Sequence, residues 1–71
     1  MKKIIINGKY KHYKGNVYLV LCLGKHSETL EDLVIYKDVE KELVWARPIN
    51  MFLDEIILDN KKINRFEYIG D

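Results

Sequence analysis

The strongest structural signal in the sequence is an apolar run, Val17-Tyr18-Leu19-Val20-Leu21-Cys22-Leu23, which follows the turn residues Gly15-Asn16. Because the run is apolar on both faces, it predicts a central β-strand whose inward face cannot be assigned by alternation. The polar segment 25–32 predicts a loop, and Leu33-Val34-Ile35-Tyr36 predicts the neighbouring strand because it is β-branched and aromatic. A helix over residues 30–42 is the competing interpretation, and the lack of a convincing cap disfavours it.

Further short strands joined by turns are predicted on both sides of this pair. Pro48 should end the strand before it, because proline has no N–H to donate to a ladder. Asn7-Gly8 can supply the two positive-φ residues of a type I′ hairpin turn. The remaining predicted elements are a first hairpin of residues 4–6 and 9–13, a charged turn over 37–42, a strand over 43–47, a short helical turn over 49–52, and a last hairpin of 55–58 and 61–69 around Asp59-Asn60.

This pattern predicts an all-β fold. About five to seven short antiparallel strands, spaced at about 8–12 residues and joined by tight turns, are typical of a small barrel or a strongly twisted sheet. Closure into a barrel also removes the free edges that would otherwise promote aggregation.

The composition is that of one small globular domain spanning residues 1–71. The chain carries 12 Lys and Arg against 11 Asp and Glu, and 48% of its residues are hydrophobic, which excludes a disordered tail. A single cysteine, Cys22, excludes an intramolecular disulfide and favours a reducing compartment. The apolar run at residues 4–6 is too short for a signal peptide, and no run approaches the roughly 20 residues of a membrane helix. We therefore expect a soluble, cytoplasmic protein without a membrane partner.

The charges are unevenly distributed along the chain. Residues 1–26 contain six lysines and no acid, whereas residues 27–71 contain six bases and eleven acids. In the first part Lys9, Lys11 and Lys14 are interleaved with tyrosines, a mixture typical of single-strand binders. A nucleic-acid-binding surface is therefore one alternative, although the overall charge of +1 lacks the basic excess usual for that class.

Four motifs occur in order along the chain: Tyr10-Lys11-His12-Tyr13-Lys14-Gly15-Asn16, Gly24-Lys25-His26-Ser27-Glu28-Thr29-Leu30-Glu31, Val34-Ile35-Tyr36, and Leu43-Val44-Trp45-Ala46-Arg47-Pro48-Ile49-Asn50-Met51-Phe52. Over about residues 10–68 they resemble the bacterial domain of unknown function 1653, a family of small stand-alone proteins. The resemblance implies an SH3-like β-barrel with its core at 10–68, and it implies no activity. Residues 1–9 lie outside the family pattern as an N-terminal extension, and the turn at 37–42 is shorter than in many members.

The loop motif His26-Ser27-Glu28 suggests a catalytic site with the histidine as base and the serine as nucleophile. A related alternative is a hydrolase that uses His26 or His12 with Glu28 as acid and base. Neighbouring side chains on an extended chain point to opposite sides, so His26 and Ser27 cannot easily share a proton. The structural alternative is an ordinary polar loop whose hydroxyls bind nearby backbone amides. Catalysis is therefore not our preferred interpretation.

A zinc site is a further alternative. Cys22, His12 and His26 provide three candidate ligands, and Glu28 would complete four. The spacing matches no recognised zinc pattern, and a cysteine in an apolar strand is more often a small core residue. We therefore expect neither a metal nor another cofactor.

The residues best suited to binding lie on predicted neighbouring strands. Trp45 and Arg47 are two apart, so they share one face of a strand, and Tyr36 belongs to the strand beside it. Arg47 can bind a carboxylate or phosphate with its planar fork, and the aromatic rings can stack on a ligand. Structural alternatives are that the aromatic residues belong to the core and that Arg47 pairs with Glu28 or Glu31.

We therefore predict a non-enzymatic binding module that recognises an anionic or aromatic group of a peptide, nucleotide or metabolite. Its binding residues would be His12, His26, Ser27, Glu28, Tyr36, Trp45 and Arg47, arranged around a shallow groove. Nucleic-acid binding through Lys9, Lys11 and Lys14 and a His/Glu-dependent hydrolase remain the alternatives. A homo-oligomer is also compatible with so small a barrel.

Overall fold

Seven β-strands and one short helix account for the regular structure of residues 3–70, the part of the chain that the computed structural model describes. Their bounds are β1 Lys9–His12, β2 Val17–Lys25, β3 Asp32–Asp38, β4 Val44–Pro48, α1 Ile49–Phe52, β5 Glu55–Leu58, β6 Lys61–Asn64 and β7 Phe66–Gly70. The predicted all-β class is confirmed, as is the helical turn after Pro48. Residues 3–70 contain no helix long and apolar enough to cross a membrane.

Five of the strands form one antiparallel sheet in the order β4-β3-β2-β1-β7, and β5 and β6 form a separate two-stranded ladder. The apolar run is the central strand β2, as predicted, with Tyr10 of β1 opposite Tyr18 and Tyr36 of β3 opposite Val20. Strand β3 occupies most of the segment for which a helix was the alternative, so the helix interpretation is wrong.

The five-stranded sheet is strongly curled. Three strand spacings separate β3 from β7, which in a flat sheet amounts to roughly 14 Å. The rings of Tyr36 on β3 and Phe66 on β7 nevertheless lie only 5.6 Å apart between centroids. A register shift between Val20 and Cys22 marks a bulge in β2, and bulges increase local bend and twist. The result is a small barrel-like fold whose two edge strands approach each other across the core.

The core is mainly aromatic. Phe52 and Phe66 stack with their centroids 4.1 Å apart and their planes 6° from parallel, and Tyr10 and Tyr36 meet Phe52 edge-on. Helix α1 is a single turn with no side-chain cap, too short to be stable by itself. It is therefore held in place mainly by the burial of Phe52, which is 1% exposed.

Two turns are fixed by local chemistry. Asp59 and Asn60 both have positive φ, 52° and 63°, so they form the tight turn that the sequence predicts for the last hairpin. The turn after β3 is closed by Asp38, whose Oδ1 accepts hydrogen bonds from the backbone N–H groups of Lys41 and Glu40. These bonds stabilise the charged form and hold the pKa of the Asp38 carboxyl below its usual value.

The predicted first hairpin is wrong. Residues 3–8 contain no strand, and Lys2 lies outside the described residues. Asn7 alone has a positive φ, 65°, and the Gly8 N–H donates to the Ile5 carbonyl, as in a type II rather than a type I′ turn. The segment is bound to the sheet instead, because the Asn7 N–H donates to the Val20 carbonyl and the Ile5 N–H to the Tyr10 hydroxyl.

Two other expectations need correction. The second arm of the last hairpin is interrupted at Arg65, so that β6 pairs with β5 and β7 pairs with β1. Cys22 is exposed rather than buried. The bulge explains this difference: it places Cys22 opposite Ile35, one residue out of step with the buried Val20 and Val34.

The close approach of Gly8 to the sheet generates a stability prediction. A Cβ at position 8 would lie 2.9 Å from the Ile5 carbonyl oxygen and 2.9 Å from Cε1 of Tyr68. Because a backbone atom cannot move aside cheaply, Gly8→Ala should reduce the free energy of unfolding by roughly 1–3 kcal/mol. Urea denaturation measures the change.

Gly24→Ala is the matched control. Its Cβ would meet only the Ile35 side chain, at 3.7 and 3.8 Å, which is ordinary contact. Removing a glycine from a strand should leave stability unchanged or slightly raised. Equal losses in the two variants would contradict the assigned role of Gly8.

Candidate anion-binding site

Arg47 lies on the inner face of the edge strand β4. It is opposite Val34 and diagonal to Tyr36 on β3, which places its side chain over the curled sheet. Its Nε donates a hydrogen bond to the Tyr36 hydroxyl at 3.2 Å, and its Cζ lies 5.4 Å from the centroid of the Phe66 ring. The bond satisfies the hydroxyl of a tyrosine that is only 4% exposed. Arg47 is thus fixed at Nε while its terminal nitrogens remain available.

The guanidinium of Arg47 has no carboxylate partner among residues 3–70. The two ion pairs there join Lys25 to Asp32 and Arg65 to Asp54. The expected alternative, in which Arg47 pairs with Glu28 or Glu31, is therefore wrong for the described structure. A half-buried positive charge without a counter-charge favours an anion from outside the chain.

Trp45 shares the face of Arg47. It lies directly opposite Tyr36 in the β3–β4 ladder, and its side chain is 48% exposed. The expectation that this tryptophan could belong to the core is thus wrong, whereas Tyr36 is a core residue that also contacts the candidate site. A half-exposed indole can stack on a planar group of a ligand.

His12 lies on β1, the strand next to the edge strand β7. It lies opposite Phe66 in the β1–β7 ladder, with ring centroids 4.9 Å apart, and its ring also contacts Tyr13 at 4.5 Å. Its Nδ1 accepts a hydrogen bond from the backbone N–H of Lys14 at 3.2 Å. In the neutral ring the proton is therefore on Nε2, which can serve as a donor.

The electrostatic environment of His12 is positive. Burial lowers the pKa of the imidazole from its ordinary value, and the charges of Arg47, Lys14 and Arg65 lower it further. Arg47, Lys14 and Arg65 thus form a cluster of positive charges around His12.

Arg65 is a member of this cluster that the sequence analysis did not identify. It occupies the bend between β6 and β7, and its carbonyl accepts a hydrogen bond from the Tyr13 N–H. Its Nε is buried and has no hydrogen-bond partner among residues 3–70. Nothing in the spacing distinguishes Arg65 from Lys61 or Lys62, because its place depends on how β7 leaves β6 for the larger sheet.

The loop that contains His26, Ser27 and Glu28 is exposed, and its contacts are internal. The Nδ1 of His26 accepts hydrogen bonds from the backbone N–H groups of Glu28 at 3.2 Å and Thr29 at 3.3 Å. The Thr29 hydroxyl accepts one from the Glu31 N–H. This is the polar-loop alternative of the sequence analysis, and within residues 3–70 no contact links His26 to His12 or to Arg47.

Residues 3–70 contain no metal-ligand cluster, and one cavity is lined by two of the predicted residues. In the described part of the chain, no group of three or more His, Cys, Asp or Glu side chains could hold a metal ion. Of three cavities of about 240, 250 and 200 Å³, the one of 250 Å³ is lined by His12 and by Lys11, a residue of the nucleic-acid alternative. Trp45 and Arg47 line none of these three cavities.

Comparison with known proteins gives one family and one solved structure. The family model described as Protein of unknown function (DUF1653) matches residues 8–68. A crystal structure of a protein of that family from Bordetella bronchiseptica is similar to this chain with a TM-score of 0.82 and 29% sequence identity, over 93% of this chain and 88% of that one. No match was found among curated proteins.

The lowered pKa of His12 predicts how stability depends on pH. In the unfolded chain the imidazole titrates near 6.5, whereas in the folded chain it titrates lower. As the pH falls below 6.5 the unfolded state binds the proton first, so the free energy of unfolding should decrease until the pH has passed the folded pKa. Urea denaturation between pH 7.5 and pH 5 would show this decrease.

The variant that tests this prediction is His12→Gln. It should flatten this part of the pH profile, because it removes the imidazole whose pKa is lowered by folding. A slope that persists unchanged in His12→Gln would contradict the environment assigned to His12.

Proposed function

The chain belongs to the DUF1653 family of proteins of unknown function, and we propose that it is a small non-enzymatic binding module whose ligand carries an anionic group. One observation carries the proposal: the Arg47 guanidinium is fixed at Nε by Tyr36 and has no carboxylate partner among residues 3–70. A guanidinium fixed in orientation presents two terminal nitrogens in the planar geometry that matches a carboxylate or a phosphate.

The neighbouring residues have distinct roles in this proposal. Tyr36 orients Arg47, and the Phe66 ring supports it by a cation–π contact. The Nε2–H of His12 provides a further donor. Trp45 is half-exposed on the same face and would contact an aromatic or other planar part of the ligand. Binding would therefore combine one charged contact with one stacking surface.

The residues of the His26 loop are less well supported as binding or catalytic residues. The Nδ1 of His26 already accepts two backbone hydrogen bonds within an exposed loop. A catalytic base needs an orienting partner, and the bonds of this ring orient the loop instead. This arrangement favours a structural role for His26 over the hydrolase alternative.

The nucleic-acid alternative depends on lysines interleaved with aromatic rings. On β1 the exposed Lys9 and Lys11 alternate with Tyr10, which is 4% exposed and packs on Phe52. Lys11 also lies opposite Glu67 on β7. Because the ring between these lysines is buried, it cannot stack on bases, and the anion site is the better-supported proposal.

An anion titration tests this function. Spectra of ¹⁵N-labelled protein would be recorded with increasing sodium phosphate and, separately, sodium acetate. We expect at least one of these anions to shift the indole signal of Trp45 and the backbone signals around Arg47. Arg47→Gln should weaken binding at least about tenfold, because a hydrogen bond to a charged group contributes about 1.5–3 kcal/mol.

Lys37→Gln is the control, because it removes one positive charge, as Arg47→Gln does. Lys37 lies on the neighbouring strand and, by alternation from the buried Tyr36, on the opposite face. The Lys37→Gln substitution should leave anion binding unchanged. If the two variants weaken binding equally, or if a single-stranded oligonucleotide binds with an affinity that requires Lys9 and Lys11 but not Arg47, the proposed site is wrong.

A further inference from the structure

Strand β4 is an edge of the five-stranded sheet, and one side of its backbone is unpaired. It pairs with β3 on one side, and no other strand within residues 3–70 pairs with it. Val44, Trp45 and Ala46 are all exposed, Val44 at 60% and Trp45 at 48%. An exposed strand edge presents N–H and C=O groups that can pair with a strand of another molecule.

The ladder with β3 determines which backbone groups of β4 are free. The Asp38 N–H donates to the Leu43 carbonyl at 2.9 Å, in the register of the β3–β4 ladder. Hydrogen-bonded and non-bonded pairs alternate along an antiparallel ladder, so the odd-numbered residues of β4 bond to β3. The even-numbered residues, Val44, Ala46 and Pro48, therefore direct their backbone groups away from β3.

Pro48 supports this assignment and limits the free edge. A proline in a sheet occupies a position whose nitrogen needs no partner, and the outer side of an edge strand is such a position. Pro48 is also the N-cap of α1, where its carbonyl accepts the first bond of the helix. The free backbone groups of β4 are therefore the N–H and C=O of Val44 and of Ala46.

We propose that two copies of this chain pair through their β4 edges, antiparallel and with Trp45 opposite Trp45. In this register Val44 of each copy lies opposite Ala46 of the other, and each of these two pairs exchanges two hydrogen bonds, which satisfies every free group. A shift by two residues in either direction places Val44 opposite Pro48 or Ala46 beyond the end of the opposite strand. The inference goes beyond the proposed function and does not rest on it.

The side chains that this pairing brings together are complementary. The two Trp45 rings form a non-bonded pair, in which side chains lie closest, and aromatic pairs across two strands are stabilising. On the other face the exposed Val44 of one copy meets Ala46 of the second. The exposed Leu43 lies opposite Arg47, whose aliphatic part can cover it. Apolar surface that one copy exposes is thus covered by the other.

A second copy also fits the charges of this edge. Arg47 is the one charged residue of β4, and in the proposed register the two Arg47 positions are offset by four residues, roughly 14 Å along the strands. This offset exceeds the screening length of about 8 Å at physiological ionic strength. The net charge of the chain is only +1, so two copies repel each other little. The pairing therefore brings no like charges together.

The mass of the 71-residue chain in solution tests the proposal. Sedimentation equilibrium would be measured from about 10 μM to about 1 mM in 0.15 M NaCl. Because the interface of one strand pair is small, we expect weak pairing, with the average mass rising toward twice that of one chain. A constant monomer mass would overturn the proposal, even if the edge accepts a foreign peptide. A mass rising beyond that of a dimer would also overturn it, because symmetric pairing closes at two copies.

Ala46→Pro tests the backbone hydrogen bonds. Because the Ala46 N–H points away from β3, proline removes no bond of the β3–β4 ladder but two of the four bonds of the dimer. We expect dimerisation to weaken at least about tenfold. Ala46→Val is the matched control, since it retains the N–H and suits a strand, so its dimerisation should persist. Equal dimerisation of the two variants would show that the β4 edge is not the interface.

Two double variants test which residues face each other, and they remain informative if Ala46→Pro does not fold. Val44→Lys/Ala46→Lys places ammonium groups opposite each other in its own dimer, and Val44→Asp/Ala46→Asp does the same with carboxylates. Each variant alone should be monomeric. An equimolar mixture should pair at least tenfold more tightly than either variant alone, because opposite charges then face each other. A mixture that stays monomeric would contradict the proposed register.

Discussion

The stacking of Phe52 on Phe66 is the contact on which the rest of the structure depends. It joins the single helical turn α1, which follows β4, to β7 at the opposite edge of the curled sheet. Without it α1 would lose its main anchor, and the two edge strands would lack the ring pair that fills the space between them. Aromatic rings suit this position because few other side chains bury as much apolar surface in a chain of 71 residues.

The same ring pair also connects stability to the candidate site. One ring, Phe66, contacts Phe52 in the core, His12 at the ladder and Arg47 at the surface. A change in the packing of Phe52 and Phe66 would therefore displace His12 and Arg47. In the same way, a ligand bound at Arg47 would alter the position of Phe66 in the core. In so small a barrel the side chain that supports the candidate site, Phe66, is also a core residue. The site is therefore held in place by the same packing that stabilises the fold.

The fold was largely predictable because its signals are local. The apolar run of β2, Pro48 at the end of β4 and the turn at Asp59 and Asn60 each specify a structure through their own backbone preferences. The hairpin predicted at Asn7-Gly8 was wrong because these residues suit more than one turn type, and contacts with Val20 decide between the types. The burial predicted for Cys22 was wrong because a bulge, which alternation cannot reveal, changes the face on which Cys22 lies.

The candidate site was predictable only where side-chain alternation along a strand, or the pairing of neighbouring strands, decides which residues share a face. Alternation places Trp45 and Arg47 on one face, and pairing of adjacent strands adds Tyr36. The approach of His12 requires the curl of the entire sheet, and the burial of Arg65 requires a strand to leave one sheet for another. Neither is encoded within a short window of sequence. The positive charges that lower the pKa of the His12 imidazole therefore come from separate parts of the chain, and the topology rather than a sequence motif brings them near it.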